Sequence, residues 1–87
     1  MSERQPASGG SIDDTVLRVW TEVLKAEPDG PATHFFDFGG HSLAAMRAVT
    51  RLRRDLSVPV PTRLIFDHPV LSDFTAQVRT LVETAAQ

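Results

Sequence analysis

The sequence predicts an all-α chain, a four-helix bundle with three longer helices and one short helix before the last. Three observations predict it. Apolar residues recur at three- and four-residue spacing in three separate stretches. Glycine and proline fall between or beside those stretches, in Pro28–Pro31, Gly39–Gly40 and Pro59–Pro61. Strand-like alternation is confined to Val58 and Val60, too short for more than a stub.

Met1 to Gly10 is polar, carries Pro6 and a glycine pair, and has nothing to bury, so a disordered lead-in is expected at 1–10. Helical periodicity begins at Ile12. Ser11 can cap that start, and Asp13 and Asp14 suit the positive end of the helix dipole. Ile12, Val16, Val19, Trp20, Val23 and Leu24 then make one apolar face. Pro28, Gly30 and Pro31 end this helix and open a loop. Its Phe35, Phe36 and Phe38 are expected to pack over the core, because three rings are costly to leave in water.

A second helix is expected from Ser42 to about Leu56. On a wheel of 100° per residue, Ala45, Ala48, Val49, Leu52 and Leu56 form its core face. Ser57 to Pro61 reads as an extended connector, since each proline disfavours helix at the residue before it. Thr62 to Asp67 has room for a turn or two of helix. Pro69 suits the first position of the last helix, whose inner face would hold Leu71, Phe74, Val78, Leu81 and Val82. The folded domain is expected over 11–83, with a polar tail at 84–87.

Size and composition exclude several functions. A chain of 87 residues forms one domain and buries about 60–65% of the surface it exposes when unfolded. That leaves no room for the deep, dry cleft most enzymes need. A net charge of -2 offers no global field for nucleic acid or membrane. The chain has no cysteine, so a disulfide framework and a thiolate metal site are excluded, and any reactive thiol must come from outside. No apolar run approaches the roughly 20 residues of a membrane span, and the N-terminus lacks a signal-peptide pattern. A cytoplasmic monomer is expected.

The informative stretch is Phe35-Phe-Asp-Phe-Gly-Gly-His-Ser-Leu43. Gly39 and Gly40 permit backbone angles closed to other residues and let another protein approach the turn. Ser42 stands at a helix start, where a serine usually caps a free N–H. The same place suits a phosphate, since unpaired amides and the helix dipole favour an anion. Gly40-His-Ser-Leu-Ala44 also resembles a damaged nucleophile elbow, but Ala44 replaces the second glycine and no strand precedes the serine. His41, as the immediate neighbour, is badly placed to act as its base. His34 and His68 lie near turns and read as surface residues.

Leu43 and Met46 fall outside the core face, beside Arg47 and Thr50 and just after Ser42. Two large apolar side chains on the solvent side suggest a docking patch, and methionine suits a surface that accepts several partners. Arg47, Arg51, Arg53 and Arg54 stand against a single Asp55 in this helix. Such a run fits a solvated face and the negative end of the dipole. Read as a DNA-recognition helix, it lacks support from the rest of the chain, whose net charge is -2.

The motif closely resembles the phosphopantetheine attachment motif of peptidyl carrier proteins, the thiolation domains of nonribosomal peptide synthetases. The similarity continues through Arg51-Leu-Arg-Arg54, Val58-Pro-Val-Pro61 and Leu64-Ile-Phe-Asp-His-Pro69, and covers about Ile12 to Val82. It implies a four-helix carrier fold and a 4'-phosphopantetheine arm, donated by coenzyme A, on Ser42. It implies that the arm's thiol holds aminoacyl or peptidyl groups as thioesters, and that the chain itself is not catalytic. The partners implied are a phosphopantetheinyl transferase, an adenylation enzyme, and condensation, tailoring or thioesterase enzymes. Gly39, Gly40, His41, Leu43, Met46 and Arg47 would belong to the surface those partners meet. His41 stands where fatty-acid and polyketide acyl carriers usually have aspartate, which favours the peptidyl branch. Phe38 departs from the leucine more usual there.

Overall fold

The apolar spacing of the first helix brings Val16, Val19 and Trp20 onto one face with no solvent exposure. Around that face the computed structural model, which describes residues 12–85, arranges four helices: α1 (Ile12–Leu24), α2 (Ser42–Leu56), α3 (Arg63–Asp67) and α4 (Leu71–Ala85). Three are long and one is short, as the sequence predicts. The expectations for 1–10, for Ser11 and for 86–87 lie outside the described residues. Helix α4 runs to Ala85, two residues past the boundary expected at 83.

The core has an aromatic centre. Trp20 meets Phe35 edge-on at 5.0 Å and Phe74 at 5.7 Å, pairs of the kind that contribute about 0.5–1.5 kcal/mol beyond area burial. The Trp20 indole N–H finds no acceptor among the described residues. From α2, Ala45, Ala48, Val49 and Leu52 close the core as the wheel predicts. Ala44 is buried beside them, and Leu56 is only half-buried. Ile65, Leu71 and Val78 complete the inner wall from α3 and α4.

The basic run of α2 works inside the fold. Arg51 pairs with Glu22 of α1 at 2.9 Å, and Arg18 of α1 pairs with Asp55 at 3.0 Å. The hydrogen bond from Arg18 to Asp55 holds that guanidinium above the usual arginine range. Both pairs are exposed, so they orient the two helices more than they stabilise them. Arg53 donates from Nε to the Val60 carbonyl at 2.8 Å and from its guanidinium to Thr62 Oγ1 at 3.0 Å.

That clamp holds the connector after α2. Ser57 ends the helix in the left-handed region (φ 57°), its N–H donating to the Arg53 carbonyl. Val58 and Val60 then turn inward and are buried, while Pro59 and Pro61 face solvent. The alternation is genuine, yet it forms no strand, because prolines have no N–H to give a neighbour. The one β-bridge among the described residues joins His34 to Val70.

Pro69 is not the first helical residue, contrary to the sequence expectation. Its carbonyl accepts the Phe35 N–H at 2.8 Å, which keeps this segment extended beside the long loop. Helix α4 starts at Leu71 instead. The N–H groups of Leu71 and Ser72, which have no acceptor within the helix, donate to the Thr33 and Pro31 carbonyls at 2.9 Å each. The α1–α2 loop thus caps α4 with its own backbone.

The inward-outward pattern of the connector predicts a contrast between neighbours. Val60→Ala should lower stability by about 2 kcal/mol, since it empties a buried site. Pro59→Ala should change stability by no more than about 1 kcal/mol, through unfolded-state freedom. Urea unfolding followed by circular dichroism separates the two.

Candidate functional site

Phe35 is where the long loop is fastened. Its ring is fully buried against Trp20, and Phe36 meets it edge-on at 5.2 Å. Its N–H goes to Pro69, and its carbonyl accepts the Gly40 N–H at 2.9 Å. The expectation that the loop phenylalanines pack over the core is met most fully by Phe35. Phe36 and Phe38 are half-buried.

The two glycines serve different ends. Gly39 has φ +113° and open space around its missing side chain, so it is required by backbone conformation. Gly40 has no such angle. A Cβ there would lie 2.3 Å from two Phe35 ring carbons and 2.7 Å from the Phe35 carbonyl oxygen. Glycine is therefore required at 40 by the ring beneath it, not by a special backbone angle as the sequence suggests.

Helix α2 begins directly after this turn. His41 is its N-cap, with extended backbone (φ -134°, ψ 177°). Its carbonyl accepts the Ala45 N–H at 2.9 Å, and its ring Nδ1 accepts the Ala44 N–H at 3.3 Å. Ser42 is the first helical residue rather than the cap, which corrects the plainest sequence reading of that serine. Its side chain is exposed, and its hydroxyl has no hydrogen-bond partner among the described residues. The N–H groups of Ser42 and Leu43 likewise have no acceptor among the described residues.

The histidines are engaged elsewhere. His34 Nδ1 accepts the Asp37 N–H at 3.3 Å, and His68 Nδ1 lies 2.8 Å from Asp73 at the start of α4. Neither is hydrogen-bonded to Ser42, and the His41 Nδ1 is occupied by the helix it caps.

Leu43 and Met46 stand 52% and 51% exposed, against the burial usual for such side chains. With Arg47, Thr50, Arg51 and Arg54 they line a shallow groove of about 380 Å³ on the outer face of α2. Arg47 has no ion pair among the described residues. Phe66 of α3 is also 43% exposed and stacks on Phe36 at 5.4 Å. Sequence reasoning missed Phe66, because α3 has five residues and no apolar period can be read over so short a stretch.

Residues 14–78, a glycine turn delivering an exposed serine to a helix start included, match a protein family described as the phosphopantetheine attachment site. The chain belongs to that family. Among solved structures, this carrier is similar to a nonribosomal PCP domain at 32% identity and a TM-score of 0.64, covering 84% of this chain and 91% of that one. It is also similar to a chain in a complex of the phosphopantetheine transferase Sfp with coenzyme A and a peptidyl carrier protein. There the identity is 27% and the TM-score 0.73, covering 86% of this chain and 95% of that one. A linear gramicidin synthase of Brevibacillus parabrevis is 37% identical over 71 residues, 82% of this chain but 1% of that protein. The carrier thus spans a small fraction of the synthase it resembles. It is a peptidyl carrier of the nonribosomal type, and the prosthetic group of its family is 4'-phosphopantetheine.

The glycine pair makes a direct prediction for this carrier. Gly40→Ala should cost about 2–3 kcal/mol, because the methyl group and the Phe35 ring cannot share the space. Gly39→Ala should cost about 1 kcal/mol, the strain of a side chain at positive φ. Chemical denaturation of both variants measures the order.

Proposed function

We propose that Ser42 is the residue that accepts the phosphopantetheine arm, and that the chain presents aminoacyl or peptidyl cargo on that arm to partner enzymes. The observation that carries this reading is the Ser42 hydroxyl itself. It stands exposed at the first position of a 15-residue helix, with no partner among the described residues, beside two N–H groups that lack acceptors among them. Such a helix start favours an anion through its dipole and its unpaired amides, so the residues present suit a serine phosphodiester. In the modification the Ser42 oxygen forms the new bond to the arm's phosphorus and gives up its proton, while the pyrophosphate bond of coenzyme A breaks and adenosine 3',5'-bisphosphate leaves. Once bound, the arm supplies the thiol that this cysteine-free chain lacks, on which acyl groups are held as thioesters.

The chain's own part is to hold and display. The glycine turn keeps bulk away from Ser42, and the capped helix fixes its direction. Leu43, Met46 and Phe66 offer exposed apolar surface to partners, with Arg47, which has no ion pair among the described residues, as a cation on the same helix as Leu43 and Met46. Gly39, Gly40 and His41 shape the turn a partner must meet. The likeness to a carrier held with the transferase Sfp and coenzyme A supports a phosphopantetheinyl transferase as the first partner. An adenylation enzyme then loads the thiol, and condensation, tailoring or thioesterase enzymes act on the cargo. Tethering keeps that cargo at high effective concentration near each of them. The chain works as a non-catalytic monomer in the cytoplasm, and no described helix is long and apolar enough to cross a membrane.

Incubation with coenzyme A, magnesium and a broad-range phosphopantetheinyl transferase should add the mass of one arm, read by intact-protein mass spectrometry. Ser42→Ala should abolish the gain, and a persisting gain would place the arm elsewhere. Leu43→Glu, Met46→Glu and Phe66→Glu should each slow modification or loading roughly tenfold, a loss of about 1.4 kcal/mol of docking energy. Their far-UV circular dichroism should stay near that of the parent chain, because all three side chains stand outside the core.

A further inference from the structure

Serine is among the best helix caps, yet Ser42 is the first residue of α2, one position past the cap, and does not cap it. The reason is next to it. His41 occupies the cap position, and its Nδ1 takes the Ala44 N–H. We propose that His41 is a positioning residue for the modification of Ser42: its ring does the capping that serine otherwise does, and so keeps the Ser42 hydroxyl free to react. This rests on the reading of Ser42 as the attachment residue.

The Ala44 N–H is the amide in contention. A cap side chain accepts from the second or third residue after it. With His41 as cap, Ala44 is the third. With Ser42 as cap, Ala44 is the second, equally within reach, and the helix begins at Leu43. The two arrangements differ in which side chain takes this amide. In the second the Ser42 oxygen accepts an N–H and is turned toward the helix, and that bond must break before the oxygen can reach phosphorus.

The chain before the helix holds the balance toward His41. Gly39 turns at positive φ, and Gly40 is held by its N–H on the Phe35 carbonyl, with the Phe35 ring against its α-carbon face. This delivers residue 41 in the extended conformation that a cap requires, with its carbonyl already accepting the first helical bond from Ala45. For Nδ1 to accept, it must be the unprotonated ring nitrogen. At 3.3 Å the bond is long, and histidine is not one of the preferred caps. Asparagine or aspartate at 41 should therefore cap at least as well while lacking the imidazole.

The test compares His41→Ala, His41→Asn and His41→Asp in the full chain, by two measurements. The first is kcat/KM for arm transfer from coenzyme A by a broad-range transferase. The second is backbone chemical shift, which locates the first helical residue. His41→Ala should lower kcat/KM about tenfold and move Ser42 from helical to extended shifts. His41→Asn and His41→Asp should keep Ser42 helical and restore transfer to within about twofold of the parent. If His41→Ala fails to fold, His41→Gly replaces it, since glycine fits the cap backbone but offers no side-chain acceptor. Equal slowing in all three variants would overturn the proposal by showing that the transferase reads the imidazole itself. An unchanged rate and helix start in His41→Ala would also overturn it. A parent chain that gains no arm overturns the attachment reading instead, and the helix start in the variants still decides the capping.

Discussion

Phe35 ties together every part of the fold that the site needs. Its ring lies against Trp20 in the core, its N–H is held by Pro69 before α4, and its carbonyl holds the Gly40 N–H. One buried residue therefore sets the height of the long loop, the entry to α4 and the turn into α2. The constraint acts through excluded volume as much as through hydrogen bonding. The ring fills the space a side chain at 40 would need, so the turn can approach the core only with glycine there. Where the turn sits decides where α2 begins, and with it where Ser42 points.

Beyond that anchor, α2 is divided along its length by what each face meets. Alanines and branched residues face Trp20 and its neighbours, while Leu43 and Met46 near the serine remain exposed. The arginines are divided too. Arg51 reaches α1, and Arg53 holds the connector, so a stretch that resembles a cationic surface is largely part of the scaffold. Arg47 has no ion pair among the described residues. The helix thus carries an exposed serine at its tip, with exposed apolar surface beside it and its inner face fixed in the core.

Much of this was legible in the sequence, for identifiable reasons. The three long helices were readable because each buries one face, and burial on a helix imposes a spacing of three and four residues. The proline connector was readable because proline restricts its neighbours locally. Other features depended on contacts between distant segments. The start of α4 shifted past Pro69 because the loop around Thr33 and Phe35 claims the extended backbone there, and no local propensity reports that pairing. The exposure of Phe66 belongs to the same class, since α3 is too short to show a face of its own.

The sequence by itself determined the helical class, the core faces of α1, α2 and α4, and the serine motif with the family it resembles. These follow from local periodicity, turn-forming residues and the order of residues in one continuous stretch. Only the tertiary structure decided that His41 rather than Ser42 caps α2, that Gly40 exists for the Phe35 ring, and that Arg51 and Arg53 bind partners in other segments of the fold. Each of those depends on which atoms meet across the fold. A cap position, a forbidden methyl group and an ion pair are set by three-dimensional contact, and the spacing of residues along the chain does not encode them.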